Sequence, residues 1–187
     1  MVRSLQNRSF HHIIHTIYLL AYTTMKFATT ASLLSLFSLL TSTSAAPTAP
    51  NGLAIVQNNC KKPIYLWSVG GSIGPARTIQ PGGHWQAPIH RDPVSGGIAI
   101  KITRTPNGLY DGSPQMDYAY TLDGTTLWYD LSDVFGDPFN GHPVSVVSAN
   151  PNCPSICWAD GISPAGSQVR DCAAGSDLTL TLCASGC

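Results

Sequence analysis

Residues 53–183 contain several short runs in which apolar and polar side chains alternate. In the run 98–103 isoleucine occupies every second position, and Ala99, Lys101 and Thr103 stand between the isoleucines. A period of two is typical of a β-strand that buries one face and exposes the other. The same criterion predicts seven strands, at residues 53–57, 64–69, 98–103, 116–122, 127–131, 144–147 and 178–183.

Turn-forming residues separate these runs. Asp123-Gly124, between the runs 116–122 and 127–131, predicts a hairpin turn. The chain has 17 Gly and 14 Pro, and all 10 acidic residues are aspartate, which favours turns and caps over helix interiors. We therefore expect a single all-β domain over residues 53–187, a sandwich or a barrel, and the composition excludes a long helical bundle.

The residues before the first predicted strand have the organisation of a secretory signal. Lys26 supplies a short basic region, residues 28–40 are rich in leucine, and residues 43–45 are small, as at a cleavage site. We expect a signal peptide at 25–45, followed by a short leader at 46–52. Edman sequencing of the secreted protein should then begin after Ala45 or after Ala46.

Residues 1–24 precede this signal, and we interpret them as an upstream extension from a misplaced start codon. A long n-region is the alternative. A membrane anchor over residues 13–40 is disfavoured, because Lys26 and several Ser and Thr residues interrupt the run.

The charge balance changes when the predicted signal is removed. The whole chain is neutral, but three basic residues lie before residue 46, so 7 basic and 10 acidic residues remain and the net charge is −3. The basic residues form no stripe, which argues against nucleic-acid binding. We expect no membrane association after signal removal.

Cysteine usage agrees with export to an oxidising compartment. All 6 cysteines follow residue 59, and such a set predicts three disulfides with fifteen possible pairings. A bond between Cys60 and Cys183 would close most of the domain into one loop, which is worth roughly 4 to 5 kcal/mol. The remaining four, Cys153, Cys157, Cys172 and Cys187, would then pair within the last third of the chain. Because no histidine stands near the closely spaced pair 153 and 157, we expect no metal.

Several sequence segments occur in the order found in thaumatin-like proteins. They are IVQNNC at 55–60 followed by IYLW at 64–67, IQPGGHW at 79–85, GGIAI at 96–100, WYDLSDV at 128–134 and DLTLTLC at 177–183. The chain resembles this superfamily, and more closely its small fungal secreted branch, the yeast-phase-specific antigen family. The resemblance implies a disulfide-bonded β-sandwich with a bond between Cys60 and Cys183.

The resemblance also shows departures that bear on function. Plant members line an acidic cleft with an Arg, a Glu and several Asp, and a cysteine-rich second domain forms one wall of that cleft. The first cleft Asp corresponds to Asp130, whereas the Glu position falls at Ala119 and the second Asp position at Phe135. The Arg has no counterpart near Gly112, and no cysteine lies between residues 60 and 153. Antifungal or glucanase activity therefore does not transfer.

Trp128 and Asp130 are the main candidates for ligand binding. A period of two over 127–131 places them on one face of a strand, where an aromatic ring stacks on a sugar and a carboxylate accepts its hydroxyl hydrogen bonds. The competing interpretation is a core tryptophan and an aspartate that caps a turn. Further acidic candidates are Asp117, Asp133, Asp137 and Asp111, of which Asp133 and Asp137 have the neighbours of turn residues. We interpret Trp67, Trp85 and Trp158 as core.

These observations predict a secreted extracellular monomer without a cofactor. We expect it to be non-catalytic and to bind a cell-wall polysaccharide, a β-glucan, or to act as an effector or antigen on a host extracellular protein. The alternative is a weak β-1,3-glucanase, which needs two suitably spaced carboxyl groups.

Overall fold

The apolar runs of the sequence form the centres of β-strands in the computed structural model, which describes residues 51–187. The eleven strands are β1 (Leu53–Asn58), β2 (Ile64–Val69), β3 (Arg77–Ile79), β4 (His84–Pro88), β5 (Ile98–Thr103), β6 (Gln115–Asp123), β7 (Thr126–Val134), β8 (Val144–Ser148), β9 (Ile156–Trp158), β10 (Arg170–Ala173) and β11 (Leu178–Leu182). Among the described residues there is no apolar helix of membrane-spanning length.

The strands form two sheets that share one apolar core. The five-stranded sheet has the order β4-β1-β11-β8-β9, and the six-stranded sheet has the order β10-β7-β6-β5-β2-β3. Alternate residues of each sheet point inward, and their side chains join in a single buried cluster that includes Val56, Val146, Leu180, Leu66, Ile100, Tyr118 and Leu131. Two mostly antiparallel sheets packed in this way are a β-sandwich. The fold predicted from the sequence is confirmed.

The two ends of the domain meet in the middle of the five-stranded sheet. β1 and β11 pair in parallel, with Val56 opposite Leu180, and the disulfide between Cys60 and Cys183 lies just beyond the paired segment. The Asn58 side chain stabilises this corner, because its amide donates to the carbonyl of Ile79 at 2.9 Å and its oxygen accepts from the Cys60 amide at 3.0 Å. The Cys60–Cys183 pairing that the family resemblance implied is therefore confirmed.

The other two disulfides tie the C-terminal third together. Cys153 pairs with Cys172, and Cys157 pairs with Cys187. The sequence left these pairings open. The first bond links the loop before β9 to β10, so it joins the two sheets at the edge next to β7.

The seven strands predicted from alternation are all present, and the ends of each lie within three residues of the prediction. The hairpin turn is also confirmed: Asp123 pairs with Thr126, and Gly124 adopts a φ of 58°, which glycine tolerates without strain. Four strands were missed: β3, β4, β9 and β10. Three of them have only three or four residues, too few to show a period.

The predicted extension (1–24), the signal peptide (25–45) and most of the leader (46–52) fall on residues 1–50. These residues lie outside the described part of the chain.

Candidate functional site

The outward face of β7 carries the two residues singled out from the sequence. Leu127, Tyr129 and Leu131 point into the core, whereas Trp128 and Asp130 point to the other side of the strand. Trp128 is 44% exposed, which is unusual for so large an apolar ring. The interpretation of Trp128 as a core residue is therefore wrong.

Asp130 lies in the middle of a strand, so its interpretation as a turn cap is also wrong. Its direct neighbour across the sheet is Ala119 on β6, and the neighbour of Trp128 is Thr121. Because Ala119 and Thr121 are small, a shallow hollow forms beside the indole ring, and Val169 also lines it. Partial burial raises the pKa of the Asp130 carboxyl, and the positive charge of Arg170 opposes this effect.

The two positions for which the resemblance implied the cleft Asp and the cleft Glu face each other across β6 and β7. The Asp position keeps its carboxylate in Asp130, but the Glu position is Ala119. The hollow at Asp130 is consequently less acidic than the resemblance to plant members would suggest.

Asp117 lies on the same outward face, on β6. Its partner on β7 is Ser132, two residues along the strand from Asp130. The Asp117 carboxylate accepts a hydrogen bond from the ammonium of Lys101 at 2.7 Å and another from the Gln115 amide at 2.6 Å. Both carboxylate oxygens are therefore already engaged by protein groups. Asp117 therefore contributes to the structure of this surface, and its carboxylate is less available than that of Asp130 to accept hydrogen bonds from a ligand.

Asp133 lies on the opposite side of the sheet from Trp128 and Asp130. It pairs with the buried Met116 near the end of β7, and both of its carboxylate oxygens are buried without a hydrogen-bond partner among the described residues. Burial, followed by the nearby carboxyl of Asp137, raises its pKa to about 8. The turn interpretation of Asp133 is wrong, because β7 continues to Val134.

Asp137 lies in a turn, as expected from its neighbours, and Asp111 also lies in a turn. The Asp137 carbonyl accepts from the Asn140 amide, and the Asp111 carboxylate accepts from the amide and the hydroxyl of Ser113 at 3.0 and 2.6 Å. The structure therefore brings Trp128, Asp130 and Asp117 to one face and leaves Asp133, with Asp137 near it, on the other side of the sheet. Asp111 belongs to a loop whose Tyr110 packs against Trp67.

The remaining tryptophans are structural. Trp67 and Trp158 are each 2% exposed, and Trp85 packs against the core. In residues 51–187 no three His, Cys, Asp or Glu side chains are grouped so that they could hold a metal ion.

Residues 41–184 match the protein family described as Blastomyces yeast-phase-specific protein, Bys1. The chain belongs to this family. Among its relatives, the antigenic thaumatin-like protein of Arthroderma benhamiae is 32% identical over 145 residues, which is 72% of each chain. The secreted thaumatin-like protein calA of Emericella nidulans is 31% identical over 166 residues, covering 80% of this chain and 95% of the relative.

A solved structure supports the fold of this Bys1 family member. The protein elicitor MoHrip2 from Magnaporthe oryzae superimposes with a TM-score of 0.60 at 24% identity, covering 71% of this chain and 99% of the other. The resemblance to small fungal thaumatin-like proteins is therefore confirmed. It establishes the fold of this chain, and the ligand must be argued from the site itself.

The sequence did not indicate that the outward face of the six-stranded sheet carries a second hollow. A second hollow lies next to the one at Trp128, lined by residues of β2, β5 and β6. The only sequence signal for it was the small and polar set at the outward positions of β5.

Proposed function

We propose that this protein is secreted and binds a neutral cell-wall polysaccharide, a β-glucan, through the outward face of its six-stranded sheet. The observation that carries the proposal is the exposed ring of Trp128 beside the carboxylate of Asp130, both on one regular strand. A strand backbone paired on both sides holds the two groups at a fixed spacing, so the site is formed before ligand arrives.

The chemistry of these two groups suits a sugar. The C–H face of a pyranose ring packs on an aromatic face, and a carboxylate accepts hydrogen bonds from sugar hydroxyls more strongly than a neutral oxygen does. Ala119 and Thr121 leave room for a ring to lie against the indole. A protein that is net negative after signal removal would repel a polyanion, which favours a neutral polymer.

Extracellular location fits the same picture. Three disulfides clamp the domain, and such bonds persist in oxidising compartments. One relative is itself named a secreted protein. Removal of the signal peptide would leave the described domain in the medium or at the cell wall.

The first test of this proposal is Trp128→Ala in the mature protein, titrated with soluble β-1,3-glucan. Losing the stacking surface should weaken binding at least tenfold, about 1.4 kcal/mol. Asp130→Asn should weaken it less, because an amide oxygen still accepts a hydrogen bond but carries no charge.

Val147→Ala is the matched control, because Val147 is 49% exposed but lies on the five-stranded sheet. It should bind like the wild type. Equal affinity of Trp128→Ala and wild type would reject the site.

Hydrolysis of the same polymer is the second candidate, and one feature of the register favours it. Asp117 is the diagonal neighbour of Asp130 on the outward face. The α-carbons of such a pair are ~7–8 Å apart, which lets the two carboxyl groups reach the ~6.5–9.5 Å separation used by inverting glycosidases. The ion pair with Lys101 counts against it, since it occupies the carboxylate that would have to activate water.

The two candidates differ in their products. A glucanase would release reducing ends from soluble β-1,3-glucan, and Asp130→Asn would abolish the release. Absence of reducing ends at high protein concentration would reject hydrolysis and leave binding in place.

A further inference from the structure

The two sheets end in four edge strands, and β4 differs from the other three. The edges are β4 and β9 in the five-stranded sheet and β10 and β3 in the six-stranded sheet. β3 and β9 have three residues each, and β10 carries the charges of Arg170 and Asp171. β4 has five residues and contains no Lys, Arg, Asp or Glu. Short length and charged side chains keep edge strands from pairing with other chains, and β4 has neither of these protections.

The hydrogen bonds at the two ends of β4 fix the phase of its ladder with β1. The Gly83 carbonyl accepts from the Asn58 amide at 2.9 Å, and the Ile89 amide donates to the Gly52 carbonyl at 3.0 Å. Residues 83 and 89 therefore face β1. In an antiparallel pair every second residue bonds to the neighbouring strand, so the odd-numbered residues of β4 are the ones that bond to β1.

The even-numbered residues of β4 direct their backbone groups to the open edge of the sheet. His84 and Gln86 each offer one N–H and one C=O there, and no hydrogen bond among residues 51–187 reaches these groups. Pro88 ends the free edge, because it has no N–H and its carbonyl oxygen lies 3.0 Å from the His90 ring nitrogen. The open edge is thus a short segment with two unpaired donors and two unpaired acceptors.

This segment is complementary to itself. A two-fold axis through Trp85 would place His84 opposite Gln86 of a second copy. Each free N–H then meets a free C=O, so the two N–H groups of each copy make four hydrogen bonds in all. Trp85 is partly exposed and packs against the core, and in this register the two indole rings lie opposite each other. Cross-strand aromatic pairs stabilise antiparallel sheets.

The charge distribution also favours approach through β4. After signal removal the protein is net negative, so two copies repel each other in most orientations. Its first acidic residue is Asp92, and residues 51–91, which include β1 to β4, contain none. Pairing through β4 therefore keeps the acidic side chains of these segments out of the contact, and the strand brings no like charges of its own together.

We propose that β4 pairs antiparallel with β4 of a second copy, so that two five-stranded sheets join into one continuous sheet. This inference does not depend on the proposed function, and it leaves Trp128 accessible because β4 belongs to the other sheet. A contact one strand wide is small, so we expect a weak dimer with a Kd on the order of 100 μM. The monomer expected from the sequence is then the form present at low concentration.

The test is sedimentation velocity of the disulfide-bonded mature protein from about 1 μM to about 1 mM, which brackets the expected Kd. The wild type should change from monomer to dimer over this range. Gln86→Pro removes one outward N–H and leaves the bonds between β4 and β1 in place. It should weaken association at least tenfold.

Ala173→Pro is the matched control, on the edge strand β10 of the other sheet. The Ala174 amide donates to the Thr125 carbonyl at 2.8 Å, so the N–H of Ala173 points to an open edge as that of Gln86 does. This variant should associate like the wild type. Thermal unfolding of both variants identifies any loss of folding, in which case Gln86→Lys, which adds a charge to the edge of β4, replaces Gln86→Pro.

The possible outcomes are distinct. Loss of the dimer in the Gln86 variants and its retention in Ala173→Pro would support pairing through β4. A wild type that stays monomeric at about 1 mM would overturn the inference and leave the edge of β4 open to a foreign strand. A dimer that persists in both Gln86→Pro and Gln86→Lys would overturn it as well, because the contact would then lie elsewhere.

Discussion

Replacing Cys60 and Cys183 together with alanine is expected to destabilise the domain by about 5 kcal/mol. The bond joins residues 123 positions apart, so without it the unfolded chain gains the entropy of a very long loop. The two cysteines also hold the ends of the parallel pair β1 and β11, which no short connection links. Because whole domains are stable by only about 5–15 kcal/mol, this change should bring unfolding close to physiological temperature.

The other disulfides provide graded controls for this prediction. Their residues are 19 and 30 positions apart, and loops of that length correspond to losses of about 3 to 4 kcal/mol. Urea unfolding of the three double-alanine variants should therefore rank the Cys60–Cys183 variant as the least stable. A smaller loss in that variant than in the other two would contradict the argument.

Replacing Asp133 with asparagine is expected to stabilise the protein above neutral pH. In the folded wild type the pKa of Asp133 is about 8, because the carboxyl is buried and faces Asp137. In the unfolded chain it ionises near its ordinary value of 3.8. Between these values the folded state binds more protons, so the stability of the wild type falls as pH rises from about 4 to 8 and then levels off.

The expected size of this effect is about 2 kcal/mol at pH 8. A pKa raised this far would correspond to about 5–6 kcal/mol for a fully buried group. In Asp133 the two carboxylate oxygens are buried but the residue as a whole is partly exposed, so nearby solvent still screens part of its charge. The asparagine side chain of the Asp133→Asn variant stays neutral and can donate a hydrogen bond to Asp137, so the variant should lack the decline between pH 4 and 8. Asp123→Asn, at the exposed hairpin, removes the same charge and should keep the wild-type profile.

A second substitution tests the same pair from the other side. Asp137→Asn removes the facing negative charge, so it should lower the pKa of Asp133 and reduce the decline in stability with pH. Parallel pH profiles of unfolding for the wild type, Asp133→Asn and Asp137→Asn would contradict the shared environment of the two carboxyls.

Alternation along β5 and β7 was enough to predict which side chains face the core. It placed Trp128 and Asp130 together because a central strand with neighbours on both sides keeps its period over its whole length. The same period, continued two residues further, places Asp133 with Leu131 on the inward face. The nearby Gly136 and Pro138 suggested a turn instead, but the strand ends only at Val134.

The sequence pattern could not predict strands and registers that depend on residues far apart in the chain. β10 exists because Arg170–Ala173 adds to the edge of β7, and nothing within those four residues specifies this. On the outward face of the six-stranded sheet Ala99 lies opposite Ala119, which is a matter of register between two strands. Local alternation carries no information about register, since any even shift preserves the faces.

The absence of a carboxylate at Ala119 has a direct structural consequence. With Ala119 opposite Asp130, no second carboxylate faces Asp130 across β6 and β7; the other exposed carboxylate on this face, Asp171, lies beside Trp128 on β10.

The most direct test of the central claim is depletion of the mature protein from solution by insoluble β-1,3-glucan, with chitin and cellulose as parallel controls. If the proposed function is right, we expect the wild type to be removed by β-1,3-glucan and to remain in solution with the other two, and Trp128→Ala to remain in solution with all three. A wild-type protein that stays in solution with β-1,3-glucan would contradict polysaccharide binding and direct the search to a protein partner.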